Sequence, residues 1–373
     1  MYSDKVIKFY SFSISFFIIL GQWQPAFPIG WKREVYKLSF LSISLYSYVF
    51  YNFLFVMNLM INISDLETVF DVFYMLANTI ASMTKCFAVR YYSNSLRDIL
   101  EYMSSAHFQP SNKNQINMFS KTFSENQWVN KGYSRLCFVA LFGVVIKPIF
   151  LKDGSYPISA YLFLDDSFLS QRVLQYVSQS IATAYFCFCD VAFDTAICSF
   201  FMFVACQLEM FADQIRNMKG SEIKYCVEKH LKILNLYNRI VSCVLIPLTV
   251  QMASSAVVIL CALYQVAGIS GGDFSVFVAS FGYLFAMIIQ LYLPCYYGNR
   301  ITSKSEDLAL ALYDSNWYEW KLKDKKAMMF MLARLQRPVI VKAFGIMNFN
   351  LEVFSNIINT SYSFFNIIRN TNK

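Results

Sequence analysis

Three long stretches of this chain, residues 38–64, 240–272 and 274–299, contain no Asp, Glu, Lys, Arg or His. A helix crossing a bilayer needs roughly 20 mostly apolar residues, and each of the three is long enough. Four further apolar stretches are shorter or carry charge near an end: 68–90 with Asp71 and Lys85, 133–151 with Lys147, 172–193, and the tail 341–368. The pattern predicts seven membrane-spanning helices. Ahead of them, Lys5 and Lys8 precede an apolar run at 9–20, and Gly21-Gln22-Trp23-Gln24-Pro25 offers no small-residue cleavage site. That first segment is too short and Ser-rich to span, so it is expected to stay on the chain and lie at or re-enter the interface.

The connections separate into two kinds. Those before the second and sixth spans are very short, while residues 91–132 form about forty polar-leaning positions. Residues 207–236 keep a helical period through Leu208, Phe211, Ile215, Met218, Val227, Leu231 and Leu234, which predicts that the fourth span runs on past the membrane. Residues 301–337 also read as helical, with Leu308, Ala311 and Leu312 ahead of Trp317 and Trp320. If the N-terminus is cytoplasmic, 27 of the 32 Lys and Arg fall on the inner side. Lys147, Lys152, Arg172, Arg369 and Lys373 then lie outside. The positive-inside rule therefore predicts a cytoplasmic N-terminus and an extracellular C-terminus. The fold class expected is an all-α membrane protein of seven transmembrane helices with a helical cytoplasmic anchor layer, whose apolar faces need burial against neighbouring subunits.

Composition supports lipid as the solvent: 57% of the residues are hydrophobic, 18% aromatic and 15% charged, against about 45–50% apolar and about 25% charged in soluble domains. The net charge of +8 sits in the gaps between apolar runs, a pattern of topology and not of nucleic-acid binding. A G-protein-coupled receptor has the opposite orientation, and neither an Asp/Glu-Arg-Tyr after span three nor an Asn-Pro-x-x-Tyr near the end is present. Nine of the ten cysteines lie in or beside apolar runs, Cys226 lies in a charged stretch, and none falls outside, so no extracellular disulfide is expected. Cys187-Phe188-Cys189 lacks a partner pair at zinc spacing. The two histidines, His107 and His230, are far apart, and no catalytic triad or phosphate loop appears; no enzyme activity, metal or cofactor is expected. Asn62-Ile63-Ser64 is a glycosylation sequon close to the membrane, and Asn359-Thr360-Ser361 repeats the pattern inside the last span.

Two polar features stand out inside the spans. Asp190 and Asp194 lie four apart on one face, late in the fourth span, where water or Lys/Arg can reach them; a structural or ion-vestibule role is favoured over ligand sensing. In the tail, Glu352, Asn356, Asn359, Ser363, Asn366 and Asn370 fall within about 40° either side of one line at about 100° per residue. Such a stripe either lines a channel or interface, or is buried inside the subunit's own bundle.

The residues 293–320, with Pro294-Cys295-Tyr296-Tyr297-Gly298-Asn299 and Ala311-Leu312-Tyr313-Asp314-Ser315-Asn316-Trp317-Tyr318, resemble the sixth-span exit and following loop of insect odorant receptors. So do Gln336-Arg337-Pro338, Glu352-Val353-Phe354 and Ser361-Tyr362-Ser363-Phe364-Phe365. Lys229-His230-Leu231-Lys232-Ile233-Leu234 is a weaker match. The related gustatory receptors end in a Gln-Phe pair that this chain lacks. The family's shared co-receptor carries about a hundred more residues after span four, so this chain resembles a tuning subunit.

The resemblance implies an odorant-gated, non-selective cation channel, a heterotetramer with the co-receptor in the plasma membrane of an olfactory sensory neuron dendrite. It lays the chain out as an N-terminal segment (1–35), spans one to six with an odorant pocket in their outer half (36–298), cytoplasmic anchor helices (299–340) and a pore-lining seventh helix (341–373). Family analogy and helix position together nominate Phe70, Phe73, Tyr74, Phe142, Ile146, Tyr176, Ser180, Phe277 and Phe281 as pocket walls for a small volatile apolar odorant. By the Ser-Tyr match, Phe365 takes the gate position, with Tyr362, Asn366 and Arg369 nearby. Yet Phe365 points about 140° away from the polar stripe at about 100° per residue, a tension resolved if opening turns the helix from Phe365 towards Asn366. A transporter is the first alternative, disfavoured because no internal repeat or pair of broken spans is found. The second is a seven-helix receptor coupled to a cytoplasmic partner.

Overall fold

Backbone N–H and C=O groups in hydrocarbon must be satisfied within the segment that carries them, which leaves helices as the economical solution for apolar runs of this length. A computed structural model describes residues 2–23, 31–151, 156–164, 168–268, 274–343 and 347–371, and nearly all of them are helical. The helices are α1 (Tyr2–Ile19), α2 (Trp31–Ile61), α3 (Leu66–Tyr91), α4 (Ser93–Met103), α5 (Lys113–Leu151), α6 (Leu169–Arg216), α7 (Ile223–Gly268), α8 (Phe274–Tyr313), α9 (Leu322–Leu335) and α10 (Leu351–Thr371). Among the described residues, five helices are long and apolar enough to cross a membrane: α2, α3, α5, α6 and α7. The sixth predicted span falls on the 40-residue α8. The seventh begins about ten residues later than its apolar stretch, because Lys342–Ala343 and Met347–Asn348 form a two-residue antiparallel pair ahead of α10.

The long helix α6 organises the rest. Its 48 residues extend about 72 Å at 1.5 Å per residue, more than twice the ~30 Å of a hydrocarbon core, so it continues past the bilayer as its periodicity predicted. It packs against α1, α5 and α8 and touches α3 and α7, while α3 lies along α7 and α10 rests on α7 and α8. The N-terminal α1 is not a surface element: Phe9, Tyr10, Ser13 and Phe17 are buried, and Ser13 bonds the Thr195 hydroxyl at 3.0 Å. A single π-helical turn, Leu45–Phe50, interrupts α2, and the Tyr48 hydroxyl beside it bonds Ser82 of α3 at 3.0 Å.

The basic residues gather in a helical layer made of α4, α9 and the extensions of α5, α6, α7 and α8. Much of the polar stretch 91–132 is helix here, because α5 begins at Lys113. Arg300 donates to Glu125 at 2.6 Å, Lys304 to Glu209 at 3.2 Å, and Asp213 accepts from Asn112 and Asn114 at 3.0 and 2.6 Å. His230 stacks flat on Phe211, ring centres 5.7 Å apart. All ten cysteines are free thiols, and Cys226, despite its charged neighbours in sequence, is fully buried.

Gly298, in the motif after span six, has a packing role. A Cβ there would run into the carbonyl oxygen of Phe349, in the segment that leads into α10. Gly298→Ala should therefore lower thermal stability by about 1–3 kcal/mol, the usual penalty for overpacking. Gly132, where nothing lies within 4 Å of an added Cβ, should tolerate Ala and gain up to about 1 kcal/mol of helix propensity. Melting curves of the purified variants in detergent compare the two; equal melting would remove Gly298 as a packing constraint.

Candidate functional site: a buried ion cluster and its cavity

Asp190 and Asp194 are one helical turn apart on α6 and face α3. Lys85, at 0% exposure, reaches between them with Nζ 3.0 Å from Asp190 Oδ1 and 2.9 Å from Asp194 Oδ1. Its ammonium also lies 5.8 Å from the Phe193 ring centre, a cation–π distance. Asp194 Oδ2 accepts from the Tyr133 hydroxyl of α5 at 2.9 Å and from Gln290 Nε2 of α8 at 2.8 Å. Gln251 of α7 in turn donates to the Gln290 carbonyl at 3.3 Å. One cluster thus ties five helices together. Counting Lys85 with the inner-side basic residues is corrected here: it is a buried partner within the bundle. The two aspartates are ion-paired with it, and Asp190 also lines a cavity.

A cavity opens beside this cluster, with about 620 Å³ of empty space counted together with its open mouth. Its walls come from Met75 and Asn78 of α3, Tyr133, Cys137 and Leu141 of α5, Thr183, Phe186 and Asp190 of α6, and Tyr283, Met287 and Gln290 of α8. A smaller cavity of about 270 Å³ shares Asn78, Met287 and Gln290 and reaches Gln251, Ser254 and Ser255 of α7. A third, about 450 Å³ and almost wholly apolar, lies under α1 between Tyr10, Phe17, Trp23 and Phe193. No metal-binding cluster occurs among the described residues.

The sequence picked the four helices that enclose the large cavity, the second, third, fourth and sixth spans, but none of the nine nominated residues lines it. Phe73, Phe142, Phe277 and Phe281 are exposed on the outside of the bundle, Phe277 and Phe281 stacked at 5.9 Å. Phe70 packs on Tyr264 at 4.4 Å, and Tyr74 meets the Tyr283 ring edge-on at 5.5 Å. Tyr176 donates to the Val145 carbonyl, Ser180 to the Tyr176 carbonyl, and Ile146 is half-buried. On α3, α6 and α8 the cavity lies nearer the basic layer than these positions, and on α5 its lining, Tyr133 to Val144, overlaps them. Phe73, Phe142, Phe277 and Phe281 turn outward, while the walls combine the aromatics Tyr133, Phe186 and Tyr283 with smaller Ala, Cys and Thr residues that leave space. Opposite charges at Lys85 and Asp190 were the available signal, since ionised groups inside spans pair with one another. Nothing in the sequence marks Tyr133, Tyr283 or Gln290.

On α10 the stripe residues Glu352, Asn356, Asn359 and Ser363 all lie on the open face, and Asn366 is half-buried. The stripe is therefore not packed inside the subunit's own bundle. Tyr362 is exposed, whereas Phe365, nominated as the gate, is 7% exposed and packs inward. Phe365 thus faces the bundle in this structure, in line with its angle to the stripe. Ser361 donates to the Ala256 carbonyl of α7 at 3.0 Å, fixing α10 to the bundle. The side chains of Arg369 and Asn370 lie outside the described residues.

The fold defines a multi-helical membrane protein with a cavity between its helices braced by buried charge. A family model described as the 7tm odorant receptor matches residues 65–362, and the chain belongs to that family. It is a receptor and not an enzyme. It is 25% identical to Odorant receptor 46a, isoform A, of Drosophila melanogaster, over 99% of this chain and 100% of that protein. Odorant receptor 94a of the same fly is 23% identical over 82% of each chain. The insect olfactory receptor OR5 from Machilis hrabei, solved in complex with eugenol, superposes with a TM-score of 0.87 over 98% of this chain and 99% of that one, at 12% identity.

Removing Lys85 leaves two buried carboxylates facing each other, a loss of about 3–5 kcal/mol. Lys85→Met should abolish folding and surface delivery, and adding Asp190→Asn and Asp194→Asn to it should restore much of both. Surface labelling and detergent melting curves measure the outcome; a Lys85→Met single variant that matches the parent would show the cluster to be dispensable.

Proposed function

We propose that this chain is an odorant-binding subunit of a ligand-gated, non-selective cation channel, assembled as a heterotetramer with the odorant receptor co-receptor. It would act in the plasma membrane of an olfactory neuron dendrite, with the N-terminus and basic layer cytoplasmic and the C-terminus outside. The observation that carries the reading is the polar face of α10. Glu352, Asn356, Asn359 and Ser363 sit on the side of that helix left open by α7 and α8, and polar groups at membrane depth need water or a protein neighbour. A central water-filled pore meets that need. The cytoplasmic placement of the layer rests on the Lys/Arg bias, and its exposed Leu322, Met329 and Phe330 on α9 suit burial against neighbouring subunits.

The large cavity is the candidate odorant site. Most of its wall is apolar, which fits small volatile molecules. Its Gln290 wall connects through Gln251 to α7, and α7 holds α10 at Ala256. An odorant opens the pore to the extent that it binds the open arrangement better than the closed one, and this chain of contacts gives it a route to do so.

The test is whole-cell current in a naive cell line with a broad odorant panel, with and without the co-receptor. Rapid odorant-evoked cation current should appear on co-expression. Asn356→Leu combined with Asn359→Leu should cut its amplitude several-fold while shifting the half-maximal odorant concentration little. Slow current that needs a second messenger would favour a coupled receptor, and unchanged amplitude in the double variant would remove α10 from the pore.

A further inference from the structure

The large cavity has an uneven polar end. Asp194 is well supplied, accepting from Lys85, Tyr133 and Gln290. Asp190, which lines the cavity, accepts from Lys85 through Oδ1, with the Ser82 hydroxyl as a second donor nearby. A carboxylate has room for about four hydrogen bonds, so Asp190 keeps spare acceptor capacity on the cavity side. Tyr283 lines the same cavity, and its hydroxyl is buried and has no hydrogen-bond partner among the described residues. An unpartnered buried hydroxyl is costly, and it is the kind of group a ligand completes. Remaining walls such as Met75, Leu141 and Phe186 are apolar.

We propose that the ligands of this cavity are small hydroxyl-bearing odorants, alcohols or phenols, whose oxygen accepts from Tyr283 while its proton is donated to Asp190. The inference rests on the reading of this cavity as the odorant site and narrows it to a chemical class. A hydroxyl is the small group that serves both partners at once. An ether, ester or ketone accepts from Tyr283 but gives nothing to Asp190. A protonated amine gives to Asp190 but leaves the Tyr283 proton undonated, and it meets the fixed ammonium of Lys85, 3.0 Å from Asp190 Oδ1. A hydrocarbon leaves both groups unpaired. A site built to bond a hydroxyl rejects analogues that lack it far better than an apolar pocket discriminates by shape.

The experiment co-expresses the chain with an insect odorant co-receptor and applies a set of small, mostly apolar carbon skeletons of about six to ten carbons. Each skeleton is tested as the hydroxyl compound, its methyl ether, the parent hydrocarbon and the primary amine. On every skeleton that evokes current, the hydroxyl member should act at a concentration at least about ten-fold below the ether, the factor one charge-assisted hydrogen bond carries. Asp190→Asn should bring that ratio close to one, whereas Tyr283→Phe, which keeps the ring against Tyr74, should weaken the hydroxyl compound and its ether alike and leave the ratio in place. Equal potency of hydroxyl and ether in the parent chain, or an amine as the strongest ligand, overturns the proposal. Melting of the purified chain with the same compounds separates the two levels. Stabilisation specific to the hydroxyl members without any current sustains the ligand class and sinks the channel reading, while neither stabilisation nor current sinks both.

Discussion

The three-way pairing of Lys85 with Asp190 and Asp194 is the constraint around which the bundle is arranged. Moving such charges from water to a low-dielectric interior costs several kcal/mol per ion even after relaxation, and attraction repays that only when every donor and acceptor is used. The fold meets the condition by bringing α3, α5, α6, α7 and α8 to a single point, with Tyr133 and Gln290 completing Asp194 and Phe193 flanking the ammonium. Apolar packing between membrane helices is weakly directional, since lipid tails are as apolar as the side chains they replace. A charge cluster is directional, and it sets which faces of these helices meet.

A second constraint is the mismatch between helix length and bilayer thickness. Helices α5, α6, α7 and α8 are 39, 48, 46 and 40 residues long, and a bilayer uses about 20 residues of each. The remainder must find another environment, and in this chain it forms the basic layer, closed by ion pairs such as Arg300–Glu125 and Lys304–Glu209. Gly298 stands at the junction of the two regions. Its missing side chain admits the Phe349 carbonyl, which gives the glycine of the post-span motif a packing reason and places the start of α10 against α8.

Much of this was legible in the sequence because the signals are local. Charge-free runs located spans, the continuing period from Leu208 to Leu234 foretold helices that outlast the membrane, and the alignment of Glu352, Asn356, Asn359 and Ser363 picked out the face of α10 that the bundle leaves open. The start of α5 at Lys113 was not legible as a span boundary, because a membrane helix and its aqueous extension share one backbone. Cavity walls were not legible either. Whether Phe142 or Leu141 faces inward depends on the rotation of α5 against α6 and α8, a tertiary quantity. Bulky aromatics such as Phe277 and Phe281 suggest a pocket by chemistry yet fill or avoid space, while Ala286 and Cys137 create it. Phe365 illustrates the same limit: its angle from the polar stripe could be computed from the helix alone, but the side occupied by α7 could not.

These two constraints also explain why a cavity in the middle of the bundle has a physical connection to its edge. Gln290 lies on the cavity wall, bonds the charge cluster through its side chain and accepts Gln251 of α7 on its carbonyl. Five residues beyond Gln251, Ala256 accepts Ser361 of α10, so a displacement at the cavity wall has a hydrogen-bonded route of few steps to the helix with the open polar face. Close-packed interiors deform between discrete arrangements and not continuously. A ligand that completes the polar end of the cavity and shifts Gln290 relative to Asp194 would therefore bias the seat of α10 on α7 between such arrangements. The buried Gln251 Oε1, without a partner among the described residues, marks this step as the least satisfied link in the route, and hence the place where an alternative arrangement costs least to reach.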